Sequence, residues 1–221
     1  MAIVLICSDR DGTINKDEDY YLGASEDWKS QLEFLPGVVD GIKLLNSIPN
    51  SRFVILTNQS GVALTGPEFD NLTEARLEEV NQEIVLRLNQ QGARSDAYFS
   101  CPFVDHSYVK KAVSKGRKLI PGYINDNHPD LKPNIGLIKK AAKNFGYDLE
   151  EIKHRYMIGD RLSDIEMGLE AGCVSILVSS YKTKQLDDLV KARELQKQHP
   201  DKVSIADDFL EAAKLVKKGL Y

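Results

Sequence analysis

Residues 2–15 read AIVLICSDRDGTIN, an apolar run followed by a charged segment. The apolar run shows no alternation with polar residues, which is typical of a parallel strand that is covered on both faces. Two carboxylates, Asp9 and Asp11, follow where the strand is predicted to end, and Gly12 and Thr13 come next. Asp and Gly are also ordinary turn residues, so a turn without chemistry is the alternative interpretation of this stretch taken alone.

Similar apolar runs recur along the chain and alternate with longer segments of helical period. The predicted strands cover residues 3–7, 53–57, 97–100, 156–158 and 175–178. Strands that alternate with helices predict an α/β fold with a doubly wound, Rossmann-like parallel sheet. The length of 221 residues predicts a single domain, 1–221.

Helical stripes of apolar residues fall between these strands. They comprise Val38, Ile42 and Leu45; Leu77, Val80, Ile84 and Leu88; and Ile135, Ile138, Ala142 and Phe145. TGPE at 65–68 and SDIE at 163–166 indicate capping boxes that open the second of these helices and a further short helix. A charged helix near 183–198 and a final helix near 207–218 are predicted. Residues 104–131, rich in Lys, Gly, Asn, Asp and Pro, are predicted to form a long loop or small insertion.

Composition excludes several classes of function. The net charge of −4 comes from 29 basic and 33 acidic residues with no long block of one sign, which argues against a nucleic-acid partner. The three cysteines, Cys7, Cys101 and Cys173, are odd in number, widely spaced and without a C-x-x-C pair, which argues against a disulfide framework or a four-cysteine zinc site. The start MAIVLIC has no basic leader, and no apolar run approaches the length of a membrane span. We expect a cytoplasmic protein without a membrane partner, as a monomer or weak dimer.

Polar side chains are predicted to converge at one edge of the sheet, because ligands of an open parallel sheet bind beyond the carboxyl ends of its strands. Clustered carboxylates repel one another, and a hard cation such as Mg²⁺ relieves that repulsion. A hydroxyl, an amide and a lysine nearby supply what a phosphate group requires. The pattern predicts a metal-assisted phosphoryl-transfer site built from Asp9, Asp11, Thr57, Asn58, Lys132, Asp160 and Asp164.

The spacing of Asp9 and Asp11 fits two roles in such a reaction. A carboxylate nucleophile divides phosphate-ester hydrolysis into formation and breakdown of an aspartyl phosphate. A second acid must protonate the leaving oxygen and later activate water. With one residue between them, both carboxylates can point toward the same phosphorus, and Gly12 permits a close approach of the backbone.

The motifs DRDGT, TNQSG, KP and GDRLSD, in this order, resemble those of haloacid dehalogenase (HAD) superfamily phosphatases with little or no cap domain. Within that superfamily the chain is most similar to heptose bisphosphate phosphatases, followed by histidinol-phosphate phosphatases, over residues 3–178. The resemblance implies a small phosphorylated metabolite, such as a sugar phosphate, as substrate. It implies the following roles: Asp9 as nucleophile; Asp11 as general acid and base; Mg²⁺ held by Asp9, the Asp11 carbonyl and Asp160 with support from Asp164; and phosphate binding by Thr57, Asn58 and Lys132. Arg161, in the GDRLSD motif, is a further candidate for binding substrate or phosphate.

The chain departs from these relatives in the segment where they carry a zinc loop. CPFVDH keeps Cys101 but has Phe103 at the position of the first zinc-binding histidine, and NHPDLKP lacks both later cysteines. Leu131 stands where the resemblance implies a substrate-binding arginine. We therefore expect Mg²⁺ without structural zinc, solvated roles for His106 and His128, and an altered specificity pocket.

Two classes of function compete with a phosphatase. A phosphate-accepting regulatory module also clusters aspartates, a threonine and a lysine, but such a module is normally much shorter and does not need Asp11. A P-loop nucleotide enzyme is excluded, since GVALTGPE has Pro67 and Glu68 where Lys and Ser or Thr belong. Turnover of a chromogenic monoester separates the phosphatase from the regulatory module.

Overall fold

In the computed structural model of the protein, which describes residues 3–17, 21–181, 183 and 187–220, six parallel strands form the central sheet. The strands of the chain are β1 (Val4–Ser8), β2 (Ser51–Asn58), β3 (Leu64–Thr65), β4 (Ala97–Cys101), β5 (Lys118–Leu119), β6 (His154–Gly159), β7 (Val174–Val178) and β8 (Val203–Ala206). The spatial order in the sheet is β4-β2-β1-β6-β7-β8, and β3 pairs separately with β5 in an antiparallel ribbon.

Helices cover both faces of this sheet. They are α1 (Trp28–Gln31), α2 (Val38–Asn46), α3 (Glu74–Gln90), α4 (His106–Ser114), α5 (Gly136–Asn144), α6 (Leu162–Glu170), α7 (Asp188–Gln198) and α8 (Phe209–Lys218). Short 3₁₀ turns occupy Ser60–Ala63, Pro121–Tyr123 and Leu149–Glu151. The predicted α/β fold with a parallel sheet is confirmed.

Burial explains why the first strand is apolar without interruption. Val4 and Ile6 pack into a core with α2, α3 and α8, whereas Leu5 and Cys7 pack into a second core with α5 and α6. Successive side chains of a strand point to opposite faces, so a strand between two helical layers needs apolar residues at every position. β1 also lies between β2 and β6, which brings its carboxyl end to the middle of the sheet edge.

Two predicted helix starts are wrong. The helix expected from TGPE begins only at Glu74, where Thr73 accepts a hydrogen bond from the backbone N–H of Arg76 at 3.1 Å, and Thr65 lies in β3 instead. The helix expected from SDIE begins earlier, at Leu162, because the Asp164 carboxylate accepts the backbone N–H of Arg161 at 3.1 Å. In both cases a neighbouring residue satisfies the free N–H groups of the first turn.

The final helices follow the prediction, whereas one strand of the central sheet was missed, as were the two short strands of the β3–β5 ribbon. α8 begins after Asp208, whose carboxylate accepts the N–H of Glu211, and α7 accounts for the described part of the charged segment. Residues 182 and 184–186 of that segment lie outside the described residues. β8 was not predicted, because its four residues, VSIA, follow a polar stretch and are too few to give a clear pattern.

Residues 104–131, predicted as a loop or small insertion, contain regular structure. They hold α4, β5 and the turn Pro121–Tyr123, and β5 returns to pair with β3. A separate apolar cluster of Leu64, Phe69, Leu72 and Ala112 holds this unit together. Among the helices of the described residues, none is both long and apolar enough to cross a bilayer.

Candidate active site

Three buried carboxylates meet at the carboxyl edge of the sheet. Asp9 follows β1, Asp160 follows β6, and Asp164 lies in the first turn of α6. One carboxylate oxygen from each lies within 4.8 Å of the other two, and Asp160 and Asp164 have no exposed surface. Parallel strands that end side by side therefore bring together residues about 150 positions apart, as the sequence predicts.

Lys132 supplies a positive charge to this acidic cluster of Asp9, Asp160 and Asp164. Its Nζ donates to Asp9 Oδ1 at 2.6 Å, to Asp164 Oδ1 at 2.7 Å and to the Leu56 carbonyl at 3.2 Å. Burial alone would lower the pKa of Lys132, but the charges of Asp164 and Asp9 outweigh burial and raise it. The ammonium is therefore charged, with its three protons directed to three oxygens.

The single positive charge of Lys132 does not balance the negative charges of three buried carboxylates. Burial raises the pKa of Asp160 well above its ordinary value, and the charges of Asp9 and Asp164 raise it further. Burial also raises the pKa of Asp164 to about 6, although Lys132 opposes that effect. A cation among these oxygens would favour their ionised forms.

The donor set fits a hard divalent cation such as Mg²⁺. Asp160 Oδ2 accepts from Ser180 Oγ at 2.7 Å, while Asp160 Oδ1 is buried and has no hydrogen-bond partner among the described residues. A buried carboxylate oxygen without a hydrogen-bond donor is energetically costly, and coordination to a metal ion would offset that cost. The three side-chain ligands of the cluster are all carboxylate oxygens, a class that Mg²⁺ prefers.

Gly12 gives the backbone the close approach that this arrangement needs. Its φ is +85°, and a Cβ there would lie 2.4 Å from Asp160 Oδ2. Gly12→Ala is expected to lower the free energy of unfolding through both backbone strain and displacement of Asp160. Gly146 is a matched control, because its φ is +82° and a Cβ there meets nothing within 4 Å.

Urea denaturation of the two variants separates these contributions. Gly146→Ala is expected to lower the free energy of unfolding by about 1 kcal/mol, because the left-handed backbone conformation at this position is strained for alanine. Gly12→Ala is expected to lower the free energy of unfolding by at least ~1 kcal/mol more than Gly146→Ala does, and to weaken Mg²⁺ binding. Equal losses in both variants, with Mg²⁺ binding unchanged, would contradict the proposed packing of Gly12 on Asp160.

Asp11 is held apart from the acidic cluster by a separate set of donors. It accepts from Arg10 Nη2 at 2.7 Å, from Asn15 Nδ2 at 2.9 Å and from Gln59 Nε2 at 2.5 Å. Burial would raise the pKa of Asp11, but the Arg10 charge and the hydrogen bonds of Arg10, Asn15 and Gln59 hold it below its ordinary value. Gln59 also donates to Thr57 Oγ1 at 2.8 Å, so the β1 and β2 ends are joined.

The remaining predicted phosphate-binding residues have identifiable partners. The Asn58 side chain exchanges hydrogen bonds with the backbone of Lys132, accepting its N–H at 3.2 Å and donating to its carbonyl at 3.4 Å. Asn58 therefore holds the Lys132 loop against β2. Arg161 Nε donates to Asp188 Oδ2 at 2.8 Å, which ties the start of α6 to α7.

Several residues that support the site were missed by sequence analysis. Three of them lie within or beside the motifs that follow the first two strands: Arg10, Asn15 and Gln59. Their polar side chains and their position in the sequence were the only indications of a role in the site. Ser180 and Thr183 hold Asp160, with Thr183 Oγ1 donating to the Asp160 carbonyl at 2.5 Å. No local pattern in the sequence identifies these last two.

An aromatic stack occupies the segment in which the resemblance implies a zinc loop. Phe103 and His128 stack with ring centroids 3.9 Å apart, and Cys101 Sγ lies 3.7 Å from His128 Nδ1. His128 is therefore packed rather than simply solvated, while His106 is exposed and contacts Asp126. Burial raises the pKa of the Cys101 thiol to about 11, so it is a neutral packing group at pH 7. That the protein lacks structural zinc stays a prediction.

Fold and sequence together point to one class of protein, the HAD-like hydrolases, which the chain resembles. The family model described as HAD-hydrolase-like matches residues 131–212, which include Lys132, Asp160 and Asp164. The predicted resemblance to this superfamily is confirmed.

The particular relatives are heptose bisphosphate phosphatases. The chain is 28% identical over 176 residues, 80% of each chain, to the D-glycero-beta-D-manno-heptose-1,7-bisphosphate 7-phosphatase of Bordetella bronchiseptica. It is 26% identical over 210 residues to the enzyme of that name from Pseudomonas putida, covering 95% of this chain and 97% of the relative. Its fold matches the crystal structure of D,D-heptose 1,7-bisphosphate phosphatase from B. bronchiseptica with a TM-score of 0.69 and 24% identity, over 98% of this chain and 99% of that chain.

Proposed function

We propose that this protein is a Mg²⁺-dependent phosphatase that hydrolyses a small phosphorylated metabolite, a sugar phosphate such as heptose bisphosphate, through an aspartyl phosphate on Asp9. The observation that carries the proposal is the acidic cluster of Asp9, Asp160 and Asp164 around the Lys132 ammonium. The relatives named above are phosphatases of a sugar bisphosphate, which supports the substrate class. In this proposal residues 1–221 act as one domain, with 104–131 as an insertion.

The residues divide the reaction as follows. Asp9 attacks the phosphorus, while Lys132 Nζ, which lies 2.6 Å from Asp9 Oδ1, turns the proton now directed to the Leu56 carbonyl toward an oxygen of the transferring group. Asp11 protonates the leaving oxygen and then takes a proton from the attacking water. Its lowered pKa in the free protein favours the second role, and the negative charge of a bound phosphate raises that pKa for the first. Thr57, joined to Asp11 through Gln59, adds a hydroxyl at the same edge of the sheet.

Asp9, Asp160, Asp164 and the Asp11 carbonyl are the groups that would hold Mg²⁺. A bound Mg²⁺ neutralises negative charge on the phosphate oxygens and fixes the phosphate beside the nucleophile. A structure of the B. bronchiseptica phosphatase is described as complexed with magnesium and phosphate, which supports this cofactor. Ser180 orients Asp160 through its 2.7 Å hydrogen bond and leaves Oδ1 for the cation.

Added Mg²⁺ is expected to stabilise the fold more at about pH 7.5 than at about pH 5. The folded-state pKa of Asp164 is raised to about 6, and that of Asp160 is also raised well above its ordinary value, so protons compete with Mg²⁺ for both groups at acidic pH. At a hundredfold excess over its dissociation constant, Mg²⁺ should add ~2.7 kcal/mol to the free energy of unfolding. Urea midpoints with MgCl₂, compared with KCl at equal ionic strength, measure this. An equal Mg²⁺ effect at both pH values contradicts the assigned ligands.

The test of the proposed function is hydrolysis by purified protein of a phosphorylated-metabolite panel, with Mg²⁺ and with chelator. The panel contains heptose bisphosphate, sugar monophosphates and histidinol phosphate, since a histidinol-phosphate phosphatase is the alternative from sequence. Loss of turnover in chelator and recovery with Mg²⁺ are expected. Absence of turnover on every ester would refute the proposal and favour the regulatory module.

Leu131 supports a broad specificity within that panel. It packs partly buried against the core beneath α5, so the position implied for an arginine offers no hydrogen-bond donor from its side chain. Without a bidentate guanidinium at that position, a second phosphate loses a planar two-point contact. We expect kcat/KM to discriminate little between monophosphates and the bisphosphate. A bisphosphate preference above ~100-fold, about 2.7 kcal/mol, would contradict the altered pocket.

A further inference from the structure

Arg10 lies between the two aspartates of the first motif and is itself buried. Its side chain is 1% exposed, although guanidinium groups are seldom removed from water unless they are paired. Nε donates to Asp11 Oδ1 at 3.1 Å and Nη2 donates to Asp11 Oδ2 at 2.7 Å. Two parallel hydrogen bonds from a planar fork fix both the distance and the plane of a carboxylate.

The third donor of Arg10 is anchored outside the motif. Nη1 donates to Asn81 Oδ1 at 2.9 Å, and Asn81 is a buried residue of α3. Asn81 Nδ2 in turn donates to Ser100 Oγ at 3.0 Å, on β4. The guanidinium is thus oriented by a helix and a strand that contribute no predicted catalytic group, and it transmits that orientation to Asp11.

We infer that Arg10, anchored by Asn81, is a positioning residue that directs the Asp11 carboxyl group toward the leaving oxygen of the substrate. The inference rests on the proposed function, in which Asp11 is the general acid. A general acid must lie within hydrogen-bond reach of the atom that it protonates. Small displacements of a positioned group cost much of its contribution to the rate.

The Arg10–Asn81–Ser100 network could instead serve stability alone, by joining α3 to the loop after β1. The dependence of the hydrolysis rate on the leaving group distinguishes a role in positioning Asp11 from a role in stability alone. An ester with a weakly basic leaving group departs without a proton, whereas a more basic one requires the acid. Misplacement of Asp11 therefore slows only the second ester, but general loosening of the site slows both.

The experiment compares kcat/KM for 2,4-dinitrophenyl phosphate and phenyl phosphate, with Mg²⁺, in wild type, Asn81→Ala and Arg10→Lys. Asn81→Ala leaves Asp9, Asp11 and Lys132 in place and removes only the anchor. We expect kcat/KM for phenyl phosphate to fall ~10-fold in Asn81→Ala and ~50-fold in Arg10→Lys, with the dinitrophenyl ester changed less than ~3-fold. The matched control is Gln82→Ala on the same helix, because Gln82 is exposed and hydrogen-bonds Glu78; both rates should stay at wild type.

The outcomes distinguish the inference from the proposed function. Equal losses on both esters, or no loss on either, overturn the positioning role of Arg10 while leaving the phosphatase intact. Failure of the wild type on both esters counts against the proposed function itself. Arg10→Lys keeps the positive charge in the buried site. The same comparison of kcat/KM for the two esters can therefore be made with this variant if Asn81→Ala does not fold.

Discussion

Replacing Asp9 by Asn is expected to abolish turnover, lowering kcat by on the order of 10⁴-fold or more. An amide does not attack phosphorus, so no aspartyl phosphate forms. Asn keeps the size of the side chain and an oxygen that can accept from Lys132 Nζ, which Asp9 Oδ1 does at 2.6 Å. The fold should therefore survive. Steady-state hydrolysis with Mg²⁺, on protein cleared of host phosphatases and checked by intact mass for deamidation, measures the effect.

Asp40→Asn is the control for this substitution. Asp40 is exposed in the first turn of α2, and the same change of charge there should leave the rate of hydrolysis at wild type. Trapping of radiolabelled phosphate on denatured protein adds a direct readout, since a label should appear in wild type and be absent from Asp9→Asn. Wild-type turnover in purified Asp9→Asn would end the assignment of Asp9 as nucleophile.

The position of the acidic cluster could be predicted because each of its members lies at or beside the end of a strand or helix that the local sequence pattern indicates. The uninterrupted apolar run before Asp9 identified a strand covered on both faces, and a similar run preceded Asp160. Parallel strands bring their carboxyl ends to one edge whatever their separation in sequence. Lys132 could be placed at that edge because it precedes the clear helical stripe of α5.

The orientation of the side chains could not be predicted in the same way. Asn58 was expected to face the phosphate, yet its amide is paired with the backbone of Lys132. The hydrogen bond between Arg10 and Asn81 joins residues 71 positions apart, and no local pattern records it. The start of α3 was predicted wrongly for a related reason. Thr65 and Thr73 both offer a capping hydroxyl, and tertiary packing decides which of them precedes the helix.

Replacing Lys132 by Met is expected to lower the free energy of unfolding by about 3–5 kcal/mol at about pH 7.5 in chelator. The ammonium donates to Asp9 at 2.6 Å and to Asp164 at 2.7 Å, and its side chain is 4% exposed. Met retains the volume of the stem but leaves the buried carboxylates facing one another. Hydrolysis should be lost as well, because the donor to the transferring phosphoryl group is absent.

The loss from Lys132→Met should shrink at about pH 5, and this pH dependence identifies its cause. The folded-state pKa of Asp164 is about 6, above its unfolded value, so protonation of Asp164 favours the folded state and this benefit is lost as pH rises through 6. Removing Lys132 removes a group that lowers this pKa, so the variant takes up the proton more readily. Lys143→Met is the control, since Lys143 pairs with Asp148 on the surface, and its urea midpoint should stay near wild type at both pH values. If Lys132→Met loses no more stability than Lys143→Met, Lys132 is not the charge that allows Asp9 and Asp164 to remain ionised side by side.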